Sequence, residues 1–407
     1  MDRKPPVIQK LILKRFRSIP LARLEFDNPM FIVGQNGSGK SNLADAFAFL
    51  AESMTAPLQA VFDNRGGISS VRNRSSGSSY PPNLGIAVTF GALDETVTSG
   101  HYAFEIVARP DYGFEVKREQ CIVRSVTGGR AYYDRTNQAF TSSVPGLNPA
   151  VERSALCLPL VGGDVRFAPV LHTLSRMRVY SIEPAKLRTF QEPESASSLR
   201  RDGSNAASVL SDIGRQSTDD LQDVKEALGT IVPGTTGVES VKHANKLLLR
   251  FAQEWKERGK GKKLNFEAHN MSDGTLRALG IILSVYQSQA PSLMVIEEPE
   301  ATIHPGALGA ILDLIHTASG RMQVLVTTHS PELLNAAKWI DDRHLRVVTW
   351  KDGATRITAI DEAARKALEE HLMGAGELLA SNVLRPREAE LFRRLPAGQM
   401  DLFEPLQ

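Results

Sequence analysis

Residues able to do chemistry cluster first at Gly34-Gln35-Asn36-Gly37-Ser38-Gly39-Lys40-Ser41, which fits G-x-x-x-x-G-K-[ST] throughout. Each position has a reason. Glycines lack the Cβ that would stop backbone N–H groups from turning inward around phosphate oxygens. A helix starting near Lys40 adds its positive end. Lys40 reaches the outer phosphates of a nucleoside triphosphate and the Ser41 hydroxyl can bind Mg²⁺. Asn42 completes the candidate phosphate-contacting set. The bland alternative is a glycine turn that happens to hold Lys and Ser. The apolar run 30–33 before it and the helical spacing of Leu43, Ala46, Phe47 and Leu50 after it argue against that.

A second cluster ends the apolar run Leu293 to Ile296 with Glu297, Glu298 and Glu300. Carboxylates at a buried strand end suit a Walker B element. Glu297 would hold the Mg²⁺ shell and Glu298 would polarise an attacking water. Asp is usual at the first of these positions, and the longer Glu297 can contact the metal through water. A solvated strand end would look the same in isolation. Ser272, Asp273 and Gly274 open an amphipathic helix, so Ser272 and Asp273 can cap it. The free N–H groups and dipole of that helix make an anion site for which the same chain offers no obvious anion; read alone, it is an ordinary cap. Finally, His329 follows the apolar run Val324 to Val326 and lies one helix and one strand beyond Glu298. A lone histidine there would more often be structural. The order of loop, cap, acidic strand end and strand-end histidine is far more specific than any part.

The elements that must position these groups alternate. From Ser272 onward the pattern is helix, strand, helix, strand, helix, which implies a parallel sheet with crossover helices. Short strands are expected over 7–13, 21–26 and 30–33, a helix over 40–54 and a loop over 63–83. Alternating segments at 84–90, 101–108 and 114–126 read as antiparallel strands. Residues 141–165 read as irregular, 205–213 and 219–228 as helices, and 237–268 as a second β segment. The tail reads as mostly helical, ending in a short apolar-acidic stretch. The predicted fold class is α/β, a P-loop NTPase with inserted β and helical lobes. Its split core takes residues 1–60 and 265–355, a β-rich lobe 61–183, a helical and β lobe 184–264, and a helical tail 356–407.

In these motifs the chain resembles the ABC-type ATPases of the SMC/RecF/OLD group, bacterial AAA family ATPases. Leu11 to Ile19 is similar to that group's opening strand and turn, Glu300 to Pro305 to its D-loop, and Leu199 to Asn205 to a segment of its helical lobe. The resemblance implies ATP and Mg²⁺ as ligands, with hydrolysis between two copies closed head to head. Ser272 and Gly274 would contact the γ-phosphate held by the other subunit, and His329 would sense the same phosphate. His304 stands where transporter relatives often have Asp. No aromatic residue is placed to stack on adenine. The homodimer, or a higher oligomer built from it, would work as the sensor ATPase of a bacterial, antiphage-type module with a separate effector nuclease. The alternative is a RecF-like ATPase that clamps DNA in repair, and a weaker one is a non-hydrolysing scaffold.

Composition narrows the field. The chain has 407 residues, is 42% hydrophobic and carries a net charge of +2. No apolar run approaches the ~20 residues that span a bilayer, and the start lacks a secretory pattern. Two cysteines, Cys121 and Cys157, without metal-ligand spacing fit a cytoplasmic protein. After His329 no D-x-D pattern appears, so a Toprim nuclease is not expected. Two basic groups stand out: Arg65, Arg72 and Arg74, and the run Lys256, Arg258, Lys260, Lys262 and Lys263. Such runs are ordinarily solvated surface; the other reading is a track for nucleic-acid backbone.

Overall fold

In the computed structural model the described residues are 6–73, 83–110, 113–257, 260–387 and 402–406. They form two compact units, described in turn, with strands numbered along the chain.

The first unit takes Pro5–Met177, Asp342–Lys366 and Leu384–Gln407. Its main sheet is antiparallel, ordered β2-β1-β4-β5-β6-β7-β8. The strands are β1 (Ile8–Phe16), β2 (Ile19–Glu25), β4 (Asn83–Phe90), β5 (Val97–Ala108), β6 (Phe114–Ser125), β7 (Arg130–Thr136) and β8 (Phe140–Ser142). The opening strands thus run in one sheet with the alternating segments of 83–142. β3 (Met30–Val33) is buried at all four positions, as its unbroken apolar run requires. It pairs in parallel with β15 (Leu345–Lys351), which turns back antiparallel into β16 (Ala354–Thr358). The connection is the two-residue turn Asp352-Gly353, both at positive φ, the geometry that matches strand twist. Sequence reasoning assigned no strand to 345–358.

Helix Lys40–Glu52 follows β3 and buries ten of its residues. Phe49 meets Phe16 edge-on at 5.6 Å and Phe47 meets Phe26 at 5.9 Å, so aromatic packing ties this helix to β1 and to the chain just beyond β2. The segment 63–83, expected to be loop, holds a helical turn at Ile68–Val71.

The second unit is built mainly from Arg178–Asp341 and Ala367–Val383. Here β9 (Arg178–Tyr180), β13 (Leu293–Glu297) and β14 (Gln323–Thr328) run parallel, β13 between the others. Helix Leu308–Ser319 makes the crossover from β13 to β14, as the alternation predicts. A separate antiparallel sheet contains β10 (Thr235–His243), β11 (Lys246–Glu257) and β12 (Lys260–Glu267). Helices Ala206–Gln216 and Thr218–Ile231 precede it, longer than expected by a few residues. In the tail, helices Glu362–Glu369 and Ala375–Ala380 fit the helical expectation. Residues 402–406 do not: they are not helical.

Candidate functional site

In the first unit, β3 delivers Gly34 and the helix starts at Lys40. Between them the chain closes a tight loop, with Ser38 N–H donating to the Gln35 carbonyl at 3.2 Å. Gly37 and Gly39 have φ of +77° and +105°, which L side chains rarely adopt. A Cβ on Gly39 would stand 2.1 Å from Thr355 Oγ1, and one on Gly34 would stand 2.3 Å from the Val348 carbonyl. Both glycines are therefore required by the β15–β16 hairpin behind the loop as well as by any ligand before it.

That hairpin contributes a residue sequence reasoning missed. Thr355 Oγ1 donates to the Ser38 carbonyl at 2.9 Å and shares a hydrogen bond with Ser18 Oγ at 2.7 Å. Asn42 in turn donates to Ser18 Oγ at 2.5 Å. Asn42, expected on the ligand, is thereby part of the brace. Lys40 Nζ curls over the loop and donates to the carbonyls of Gly34 at 2.8 Å and Gln35 at 3.1 Å. Ser38 Oγ is buried without a hydrogen-bond partner. Gln35, Asn36, Gly37 and Ser41 are exposed. A buried cation, an orphaned hydroxyl and the positive end of a helix form a cradle that fits a phosphate chain.

In the second unit, β13 ends on Glu297, whose carboxylate is almost buried and paired with Arg201 at 2.7 Å. Arg201 belongs to the Leu199–Asn205 segment, yet nothing local in the sequence marked it as a partner. Glu298 follows at φ +45°, a left-handed conformation that costs a non-glycine residue about 1 kcal/mol or more. Its N–H donates to the Thr327 carbonyl of β14 at 2.9 Å. The turn sends the Glu298 carboxylate to His329, whose Nδ1 donates to Oε1 at 3.1 Å. Both side chains are about 40% exposed, so the pair is open to a ligand or to water.

Glu300, the third carboxylate of the acidic strand end and the first residue of the D-loop-like segment, lies beside them. Thr328 Oγ1 donates to its Oε1 at 2.6 Å, while Oε2 is buried without a partner. Burial pushes this carboxyl above its usual range, partly offset by the Thr328 hydrogen bond and by His329.

Ser272 caps helix Asp273–Tyr286, its Oγ accepting from the Thr275 N–H at 3.2 Å. Asp273 is paired with Arg188, which also donates to the Met271 carbonyl at 3.0 Å. Gly274 is needed for space: a Cβ there would lie 2.5 Å from the Thr302 carbonyl. Arg277, one turn on, is half-buried, and burial holds its guanidinium below its ordinary range against the pull of Asp273, Glu300 and Glu298. His304 Nδ1 accepts from the Gly306 N–H at 3.1 Å, a cap for the next turn.

Each unit carries a hard oxygen donor of the kind Mg²⁺ takes, the Ser41 hydroxyl in the first and the Glu297 carboxylate in the second. Among the described residues no three His, Cys, Asp or Glu side chains gather as a metal site by themselves. Mg²⁺ characteristically keeps its waters and phosphate oxygens, with one or two protein ligands, so that is no obstacle.

The basic groups fare differently. Arg65 is a correction to the loop reading. Its side chain is buried, donating to Asp45 at 3.1 Å and to Glu52 at 2.6 Å, with the guanidinium over the Phe49 ring. It clamps the phosphate-loop helix and is unavailable to nucleic acid. Arg72 is half-buried. Arg74 and Arg258 lie outside the described residues, and the side chains of Lys256 and Lys260 are not described; Lys262 and Lys263 are exposed on β12. Among the described residues no helix is long and apolar enough to cross a membrane.

Comparison with known proteins fits this geometry. The chain matches the family model described as "AAA domain, putative AbiEii toxin, Type IV TA system" over residues 30–109 and 178–335. No curated protein matches the sequence. The chain is similar to a solved Smc head bound to the C-terminal winged-helix domain of ScpA, with 17% identity and a TM-score of 0.57, covering 89% of this chain and all of that one. It is also similar to an Smc head with an extended coiled coil bound to the C-terminal domain of ScpA derived from Pyrococcus furiosus, with 15% identity and a TM-score of 0.52, covering 91% of this chain. At such identities the likeness is one of fold. The family match spans more than half of the chain and contains the phosphate loop, the helix cap, Glu298 and His329, so the chain belongs to this AAA-domain family.

Proposed function

We propose that the chain binds ATP on Gly34 to Asn42 and hydrolyses it when two copies close head to head. The observation that carries the reading is the Glu298–His329 pair, an open carboxylate held by a strained turn against a strand-end imidazole. Strain of this kind persists where surrounding structure enforces it, and it concentrates at functional sites. Glu298 would take the proton of the attacking water, and His329 would orient that carboxylate and read the γ-phosphate. Ser41 and Glu297 would hold Mg²⁺, which when bound neutralises phosphate charge. Arg201 would position Glu297. Ser272 and Gly274, at an open helix start, would meet the phosphate carried by the second copy.

The biological setting we infer is a cytoplasmic sensor ATPase acting with a separate effector, a nuclease encoded nearby. The family description names a toxin–antitoxin system, and the two similar Smc heads are each bound to another protein; both support a partnered ATPase. A RecF-like DNA clamp is the second reading, favoured by exposed Lys262 and Lys263.

The test uses three variants. Lys40→Ala should lose ATP binding. Glu298→Gln should bind ATP but not turn it over, and with ATP and Mg²⁺ it should accumulate as a dimer by light scattering. A mixture of Lys40→Ala and Ser272→Arg chains should regain part of the activity, since one of its two composite sites is intact. Wild-type turnover by Glu298→Gln would sink the assignment of the base. A monomer at every ATP concentration would sink the dimer.

A further inference from the structure

Residues 402–406 lie on the face of the large antiparallel sheet, and the contacts there go beyond those of a loose chain end. The floor is made of small residues. Ala87 and Ala103 are cross-strand partners on β4 and β5, with Ile12 opposite Ala87 on β1. Leu402 packs on these three and is 2% exposed, with Phe403 and Leu21 beside it. Gly85 completes the floor: a Cβ there would stand 2.2 Å from Leu402 Cδ1.

Around this floor, side chains of successive strands read the backbone of the segment. His101 Nε2 donates to the Leu402 carbonyl at 2.8 Å. Gln120 reads Glu404 twice, donating to its carbonyl at 3.0 Å and accepting from its N–H at 2.9 Å, as a neighbouring strand would. Arg130 donates to the carbonyls of Pro405 at 2.8 Å and Leu406 at 2.9 Å. Two further arginines read side chains: the Arg118 guanidinium lies 4.2 Å from the centroid of the Phe403 ring, and Arg124 pairs with Glu404 at 3.2 Å. A cleft of about 500 Å³ continues from Leu402 and Phe403 past Arg118, Lys14 and Lys117.

We infer that this sheet face is a peptide-receptor site. Its ligand class is an extended peptide presenting Leu-Phe followed by an acidic residue, and its occupant is this chain's own segment 402–406, held reversibly. Backbone-reading contacts supply affinity, while the Leu402 floor and the Arg118 stack supply selectivity, the division of labour seen in strand-type peptide recognition. The site lies on β1 and β4 to β7 and uses none of the phosphate-loop residues, so it stands or falls independently of the ATPase reading.

Tethering sets the quantitative test. A ligand on the same chain has an effective concentration on the order of millimolar, so a docked tail requires an intrinsic Kd below about 1 mM. The probe is a labelled heptapeptide of residues 401–407, and the receptor is the full-length chain with Leu402→Glu and Phe403→Ala, which vacates the site. This receptor should bind the peptide with a Kd below about 0.1 mM, and the wild-type chain, its own segment competing at about 1 mM, should bind it about tenfold or more weakly. Adding Gly85→Leu to the vacated chain should abolish binding. A measurement without variants guards against misfolding: the Glu404 amide of wild-type protein should be protected from hydrogen exchange, and excess unlabelled heptapeptide should remove that protection. A fast-exchanging Glu404 amide overturns the proposal, as does equal peptide affinity for vacated and wild-type chains.

Discussion

Gly274 offers a test of why the helix-cap motif contains a glycine. The residue is not forced by backbone conformation, since its φ is not among the positive ones. It is forced by proximity, because a Cβ would sit 2.5 Å from the Thr302 carbonyl oxygen. Ordinary contact begins about 0.9 Å further out, so Gly274→Ala must push the 298–302 turn away or distort the helix start. Overpacking of this size costs about 1–3 kcal/mol. For a unit of this size that lowers Tm by roughly 3–10 °C. The same turn carries Glu298 and Glu300, and a displacement approaching 1 Å at reacting groups costs on the order of ten- to a hundredfold in rate. Thermal unfolding and steady-state ATP turnover of the variant measure both effects. Gly37→Ala is the contrast: it meets nothing within 4 Å but has φ +77°, so strain alone of about 1–2 kcal/mol is expected. Wild-type Tm and turnover in Gly274→Ala would refute the close-approach argument.

Arg65→Met should destabilise the protein by about 3 kcal/mol in urea unfolding, because it strips a buried partner from Asp45; an unchanged midpoint would mean that Arg17 satisfies Asp45 alone. Glu300→Gln should change the pH dependence of stability. The folded pKa is raised, so the wild-type contribution is present below the unfolded value of about 4.3 and is lost as pH rises through the folded value. The variant should therefore gain on wild type between pH 4 and neutrality, and parallel curves would contradict that. Replacing Lys262 and Lys263 with Glu should weaken any nucleic-acid binding on every sequence and flatten the log–log salt slope by about 1.8, with basal turnover unchanged; wild-type protein that binds no DNA or RNA at low salt leaves those lysines as solvated surface.

What the sequence made legible was local. The phosphate loop, the helix behind it, the cap at Ser272 and the strand end at Glu297 are each written within a few neighbouring residues, where period and turn chemistry act. The partners that brace them are distant in the chain. Thr355 reaches the Ser38 carbonyl across 317 residues and Arg201 reaches Glu297 across 96. No periodicity encodes such pairings. Arg65 was misread for the same reason: a Gly-rich neighbourhood suggested a loop, while its carboxylates lie on the helix 13 and 20 residues earlier. The β15–β16 hairpin was readable, since Asp352-Gly353 between apolar alternations is a strong two-residue turn signal. The docked segment at Leu402 was not, because its floor of Ile12, Gly85, Ala87 and Ala103 exists only once three strands are in register.

Two buried carboxylates show how the fold separates structure from chemistry. Glu119, wholly inside the first unit, is saturated: Oε1 accepts from the Tyr102 and Tyr133 hydroxyls and the Leu158 N–H, each at 2.9 Å, and Oε2 accepts from the Cys157 N–H. Burial beside that carboxylate pushes the Cys157 thiol up to about 12 and the Cys121 thiol well above its ordinary value, so both thiols are inert at neutral pH. Every group around Glu119 has its partner, and the cluster is a fastening between β5, β6, β7 and the 157–158 turn. Glu300 has the opposite character. One oxygen is held by Thr328 and the other is buried with nothing to bind it. Evolved interiors rarely leave such an atom unless something else supplies its partner for part of the time. Its neighbours are the half-buried Arg277 and the Glu298–His329 pair, the pair proposed above to meet the γ-phosphate. The unsatisfied oxygen thus lies where a moving charge is expected, and the saturated one where nothing need move.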